Sequence, residues 1–446
     1  MIKTYEDSRH YQAVVVQLPA KHDLKGLDNL KGVSIFGNQV IVGKDEPEGT
    51  VGLYFPVETQ LSEVFLKANN LYRDATKNND PTKKGYFEAN GRIRAQKFKG
   101  NDSCGFWLPI DSIEELGVSV SRTAWLLGEE FNEFNGIPIC RKYIVVRQQG
   151  GGQGKPGQHR KRLKDLVDTR IFREHVDTDH LFRNIFKLDL DNTVSITWKM
   201  HGTSLRVGNV PVDRNFGWLK RFLSRWIDFV DYDYRFVVGT RKTIKEVEGV
   251  DLEGKEHYYK ANPDLYRQAA EQFKGRLHKG EIVYAEIIGW VVEGKEIQKD
   301  YTYGMPNGTK DVYVYRISRV NPDGVVLDLT WPQMKKRCEE LDAKHVRGIY
   351  YGDIKHSCPE IEASDEDHWR DVAVAKIKSM LEQPSVFSTD DWSQVEEGIV
   401  VCKENLGVHE YYKSKSVKFL EHETKMMDQK VVDIEEQPID NQTDVC

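Results

Sequence analysis

Cysteine is sparse and scattered in this chain. The six cysteines, Cys104, Cys140, Cys338, Cys358, Cys402 and Cys446, include no CxxC pair. That argues against a zinc site and a disulfide framework, and it fits a reducing compartment. No apolar run approaches the roughly 18 residues a membrane span needs, and the opening MIKTYEDSRHYQ lacks the apolar core of a secretory signal. A soluble cytoplasmic protein with no membrane partner is expected. There is no overall excess of positive charge either: the formal net charge is −6, which does not advertise nucleic-acid binding. A phosphate loop is also missing. Gly154-Lys155 invites that reading, but the first glycine of GxxxxGK falls on Gln149, and Pro156 stands where a hydroxyl residue should bind magnesium.

What is present is enough for a large core. The chain has 446 residues, 39% of them apolar and 30% charged, which suits two or three domains at roughly 150 residues each. The clearest boundary is RQQGGGQGKPGQHRKR, where five glycines and one proline cannot sustain a helix or a strand. The expected division is a domain over residues 1–148, a Gly-rich basic linker over 149–165, a second domain over 166–430 and an acidic tail over 431–446. The linker's basic exit, Lys155 to Leu166, can hold phosphates although the whole molecule is anionic.

Before the linker, short alternating runs such as VSIFGNQVIVG and TVGLYFPV are broken by turn residues. One helical stretch, QLSEVFLKANNLYRD, interrupts them. This pattern suits a small β-barrel of the oligonucleotide-binding (OB) kind. Arg92, Arg94, Lys97 and Lys99 follow, either as phosphate contacts or as a solvated face. After the linker the class is α+β, with strands too irregularly spaced for a doubly wound sheet. VSITWKM, FVVGTRKT, EIVYAEIIGW, DVYVYRIS and EEGIVVCK read as strands. NFGWLKRFLSRWIDF, WPQMKKRCEELDAK and DHWRDVAVAKIKSMLEQ read as helices. In the first helix Trp218, Phe222 and Trp226 share a face, which serves helix packing or nucleic-acid stacking.

Several polar residues sit where strands deliver them. Lys199 ends the run VSIT and precedes His201-Gly202, so a strand carries it into a tight turn. Glu286 lies in an almost wholly apolar strand, where a carboxylate is costly to bury unless paired. Glu397 precedes Gly398, which allows close approach of a ligand. Lys413 and Lys415 are two apart and share a strand face, and Arg241 stands at a strand end.

The order of these features resembles the covalent nucleotidyltransferases, the superfamily of polynucleotide ligases and messenger-RNA capping enzymes. Lys199-Met200-His201-Gly202, Glu286, VYVYRI around Tyr313, Glu397-Gly398-Ile399-Val400 and Lys413-Ser414-Lys415 match its motifs in sequence. KMHGTS with KSKSVKF is similar to ATP-dependent RNA ligases of the RNA ligase 2-like branch, and the N-terminal part resembles those with an OB-like barrel ahead of the catalytic domain. The resemblance implies that Lys199 attacks the α-phosphorus of ATP, carries AMP, and passes it to a 5′-phosphate end that a 3′-hydroxyl then seals. The amine must lose its proton against an ordinary pKa of about 10.4, helped by neighbouring cations that include Lys413 and Lys415. It further implies nucleotide contacts from His201, Gly202, Arg206, Arg241, Glu286, Tyr313 (with Tyr315 as fallback), Glu397, Lys413 and Lys415. Glu286 and Glu397 would hold Mg²⁺ or Mn²⁺. The implied partner is RNA, as a nicked duplex or broken ends, bound by a monomer acting in RNA repair.

Two positions depart from the common pattern. Trp198 replaces a frequent Glu before the lysine, and His201 a frequent Asp. DNA ligases and capping enzymes place a further barrel after the final KxK motif; the stretch from Lys415 to Cys446 is too short for one, so no C-terminal OB domain is expected and those activities are disfavoured. A non-catalytic RNA-end-binding protein is the alternative of a different class, opposed by the presence of every key lysine and glutamate.

Overall fold

The computed structural model describes residues 1–118, 125–145, 167–213, 232–249, 264–365, 368–385, 387–388 and 394–431. The linker, the Trp218 segment and the acidic tail of the sequence reading therefore lie outside the described residues. The chain divides into two compact units. The first holds Met1–Gln148 with Ala373–Glu382 and Lys415–Val431; the second holds Gln149–Val372, Gln383–Ser414 and Val432–Cys446.

The first unit is built on short antiparallel strands. Its four-stranded sheet runs in the order Phe106–Pro109, Val51–Phe55, Ala13–Gln17, Glu130–Phe131. Ala13 and Val15 enter one core with Leu53, Phe55 and Phe65, while Val14 and Val16 enter another with Val33, Val40 and Trp107. Successive strand side chains point to opposite faces, so an unbroken valine run is what a strand covered on both faces requires. The helix is shorter than QLSEVFLKANNLYRD suggests, spanning Glu63–Ala68. Ser62 caps it by accepting from the Phe65 N–H at 3.1 Å, and Asn70 leaves it at φ +55°.

Arg92 has a different role from the one its basic neighbours suggested. It is buried, and its guanidinium grips both Glu58 oxygens at 2.6 and 2.8 Å, with a third bond of 2.8 Å to Asp428. Arg94 and Lys97 also lie within ion-pair distance of carboxylates, Asp428 at 3.4 Å and Glu421 at 3.3 Å. These acids come from a helix over Val417–Asp428 that starts where Ser416 accepts from the Phe419 N–H.

The second unit has two sheets. In the larger, Thr203–Asp213, Glu281–Val292 and Lys310–Val320 are adjacent antiparallel strands, with Tyr232–Gly239 outside the first and Val326–Asp328 outside the last. One face packs Leu205, Val283, Ala285 and Val314 against the helices Leu265–Ala270 and Trp331–Glu340. The other face packs Val210, Ile282 and Tyr284 with Phe172. The smaller, five-stranded sheet runs Asp179–His180, Glu410–Lys415, Gly398–Lys403, Thr193–Lys199, Gly348–Asp353. The outcome is a strand-rich α+β fold.

The buried Arg92–Glu58 pair gives a stability test. Removing one partner of such a pair strands the other charge and costs about 3–5 kcal/mol. Arg92→Ala should lower the unfolding free energy by that amount in urea titration, and Glu58→Ala should do likewise.

Candidate active site

The strand Thr193–Lys199 ends the candidate site's construction on one side and begins it on the other. Lys199 pairs across the ladder with Gly398. Directly opposed residues share a face, so the glycine leaves the space beside the lysine without a side chain. The preceding Glu397 fills that need: its Oε2 accepts from the Lys199 Nζ at 2.6 Å, and its side chain is 5% exposed. The His201 Nδ1 lies 3.6 Å from the same oxygen. Trp198 pairs with Ile399, and its N–H donates to the Arg347 carbonyl at 3.0 Å.

The turn after Lys199 is held by groups from elsewhere in the chain. The Gly202 N–H donates to Glu286 Oε1 at 3.0 Å, which supplies the partner that a carboxylate in an apolar strand needs. The Gln298 amide donates to the Gly202 carbonyl at 2.7 Å, and the His201 N–H donates to the Tyr303 hydroxyl at 2.7 Å. The His201 ring meets Tyr301 edge-on, with centroids 5.1 Å apart. A side chain at Gly202 would put its Cβ 2.2 Å from the Ile287 carbonyl oxygen, so this close approach of two strands admits only glycine.

A second buried carboxylate stands beside the first. Glu396 is 2% exposed; the Ser385 hydroxyl donates to it at 2.5 Å, and Tyr303 also hydrogen-bonds to it. Burial pushes its carboxyl up to about 7, and burial likewise pushes the Tyr303 phenol well above its ordinary range.

The other sequence-derived residues are placed as follows. Tyr313 is the cross-strand neighbour of Glu286 on the larger sheet, half-buried, with the Phe387 ring edge-on at 5.8 Å. The Tyr315 hydroxyl contacts His175 Nδ1. Arg241 pairs with Asp177 at 2.7 Å. Arg206 is 2% exposed, donates to the carbonyls of Thr240 and Phe172 at 2.9 Å each, and stacks over the Phe172 ring; these contacts make it a post inside the sheet's covered face. Lys413 sits in the strand beside Gly398–Lys403, with His180 across from it. Lys415 closes that strand, and its ammonium donates to Glu423 at 2.7 Å. Thus Lys199, His201, Gly202, Glu286 and Glu397 come together in one cluster, joined by the Lys199–Glu397 and Gly202–Glu286 hydrogen bonds. Sequence reasoning missed Gln298, Tyr303 and Glu396. The doubled acid in VEEGIVV was the one available hint.

The tight approach at Gly202 makes a direct expectation. Gly202→Ala must push two strands apart and should cost about 1–3 kcal/mol, as overpacking does, read from the midpoint of urea unfolding at unchanged slope.

Comparison with known proteins adds an independent line. A model of the RNA ligase family matches residues 192–420, which contains every member of the cluster. Among solved structures, a lysine-to-alanine variant of Naegleria gruberi RNA ligase with ATP and manganese is 16% identical; it covers 92% of this chain and 98% of its own, with a TM-score of 0.54. An unliganded variant of that ligase is also 16% identical with the same coverage and a TM-score of 0.55. The same ligase with pyrophosphate is 15% identical over 93% of this chain and 98% of its own, with a TM-score of 0.54. At such identity the likeness speaks for the fold. No curated protein matches the sequence. With its motifs, their bonded arrangement and the family match over more than half its length, this chain belongs to the RNA ligase family.

Proposed function

We propose that the chain is an ATP-dependent RNA ligase that joins 3′-hydroxyl and 5′-phosphate ends through AMP carried on Lys199, acting in RNA repair or nick sealing. The observation that carries this reading is the Lys199–Glu397 contact of 2.6 Å beside a turn fixed by Glu286. ATP is the proposed substrate because the motif order implies it and because a relative of the same fold is described with ATP and manganese.

In the first step the Lys199 amine attacks the α-phosphorus, a P–N bond forms, and the bond to pyrophosphate breaks. The amine needs a free pair of electrons, and Glu397 is the base within reach of its proton. The AMP then moves to the 5′-phosphate, returning the amine, and the 3′-hydroxyl displaces AMP to close the strand. Lys413 and Lys415 supply positive charge to the phosphate oxygens. Arg241, at a strand end, suits the same oxygens, since a guanidinium matches their geometry. His201 supplies a ring to a phosphate or ribose oxygen, and the half-buried Tyr313 a surface for the adenine. For Arg206 the buried packing described above favours support of the sheet over direct phosphate contact.

Glu286 and Glu397 offer hard oxygen donors on either side of the Lys199–Gly202 turn, a donor set that fits magnesium or manganese. Bound there, such an ion would supply further positive charge at the phosphate oxygens. Residues 1–148 are proposed as an OB-like domain that helps hold the RNA, and the protein as a cytoplasmic monomer.

The test is incubation with α-labelled ATP and a divalent cation, followed by denaturation and peptide mapping. Wild-type protein should carry one AMP on Lys199, Lys199→Ala none, and chelation of the metal should abolish labelling. A wild-type chain that never takes up label under varied metal and pH overturns the proposal. Joining assays on nicked duplexes and single strands should then show the preferred ends. Base stacking on an aromatic ring is worth about 1–3 kcal/mol. Tyr313→Ala should therefore raise the KM for ATP about five- to 150-fold, while Tyr315→Phe leaves it near the wild-type value.

A further inference from the structure

The turn that follows Lys199 is restrained through a chain of hydrogen bonds whose further members, Tyr303, Glu396 and Ser385, lie outside the motif residues named above. It starts at the His201 N–H, passes through the Tyr303 hydroxyl, and ends on the buried Glu396 carboxylate, which Ser385 also holds. Tyr303 is unusual in its own right. Its backbone adopts φ +55°, a left-handed conformation that a bulky residue takes only when its surroundings over-determine it. Here they do: the ring lies between Tyr301 and Phe387, with centroids 6.0 and 5.5 Å away, and the hydroxyl accepts on one side and donates on the other. Asp300, three residues earlier, is also left-handed at φ +66°, and Gln298 in the same loop holds the Gly202 carbonyl.

We propose that Tyr303 and Glu396 are positioning residues for the Lys199 amine, acting through the His201 N–H to fix the turn on which the amine's approach to phosphorus depends. The inference rests on Lys199 as the nucleophile. Without the hydroxyl, the His201 N–H loses that partner; the turn keeps its restraints at Gly202 from Glu286 and Gln298, but the stretch through Met200 that carries Lys199 is set less firmly. Nucleophilic attack tolerates little of this, since a displacement of about 1 Å costs on the order of a hundredfold in rate. Without Glu396, the Tyr303 hydroxyl loses its acceptor and with it the reason to face His201.

The experiment compares wild type, Tyr303→Phe, Glu396→Leu, Glu396→Gln and the Tyr303→Phe/Glu396→Leu double variant. Three quantities are measured: the rate of self-adenylylation at saturating ATP, the KM for ATP, and the joining of RNA whose 5′ end is already adenylylated. That last reaction asks no attack by Lys199. Tyr303→Phe and Glu396→Leu should each lower the saturating rate about ten- to a hundredfold, with KM and the joining of pre-adenylylated RNA close to wild type. Glu396→Gln keeps an acceptor oxygen for Tyr303 and should recover most of the rate. The double variant should be no slower than the slower single one, because residues of one chain do not act additively. Glu396→Leu leaves the buried Ser385 and Tyr303 hydroxyls without their acceptor and should unfold at a lower temperature than wild type, so its rates are read well below its unfolding midpoint.

Wild-type labelling rates in Tyr303→Phe, or parallel loss of both reactions in every variant, overturn the positioning role. So does a Glu396→Gln protein as slow as Glu396→Leu. If Glu396→Leu does not fold, Tyr303→Phe decides alone, because it removes one oxygen and leaves the ring packing in place. A wild-type protein that never labels refutes the lysine reading itself, and that result is obtained before any variant is made.

Discussion

An ammonium and a carboxylate 2.6 Å apart, at the end of a strand, set the terms for the rest of this molecule. Each group alone is a liability. Glu397 is almost wholly buried, and a buried charge without a partner is costly; Lys199, under the function proposed above, must be held firmly and still be able to give up its proton. The register of the five-stranded sheet resolves the first difficulty by placing Gly398 opposite Lys199, so that the neighbouring glutamate reaches the amine without competition. The turn resolves the second. It fixes the backbone through Glu286, Gln298 and Tyr303, while the amine itself meets a carboxylate that can take up its proton.

The surrounding scaffold treats its charges differently. Glu281 is fully buried, and both of its oxygens are taken by Arg337 at 2.9 Å. Arg316 donates to the buried Asp328 at 2.8 Å, and Arg92 grips Glu58 in the first unit. Arg337 and Arg92 fork onto both oxygens of their carboxylates, the geometry that makes a buried ion pair tolerable. The site instead uses a lysine, a point charge on a flexible stem. Rigid guanidinium pairs thus brace the scaffold, while the proposed site relies on a more adaptable lysine.

Much of this was legible in the sequence, for a physical reason. Lys199, Glu286 and Glu397 stand out because they are charges inside or at the ends of apolar strands, where a bland explanation is expensive. The motif order then tied them together. Arg206 illustrates the limit: the resemblance and its guanidinium suggested phosphate contact, but only the folded chain shows Phe172 stacked beneath it and two carbonyls accepting its bonds. Gln298 and Tyr303 were invisible because their partners are backbone atoms nearly a hundred residues away, and no local pattern encodes such a pairing. The helices Leu265–Ala270 and Val417–Asp428 were missed for a related reason. The first is too short for its periodicity to register, and the second begins in the middle of a lysine-rich motif.

Glu396 and Glu397 are consecutive residues whose side chains serve different partners, one the Tyr303 hydroxyl and the other the lysine amine. A rigid peptide plane joins them, with only two soft rotations per residue on either side. A backbone shift that carries one carboxylate therefore carries the other, although each side chain keeps its own rotations. The contact at the amine and the contact at the Tyr303 hydroxyl thus hang from one short stretch of backbone, a single amide apart.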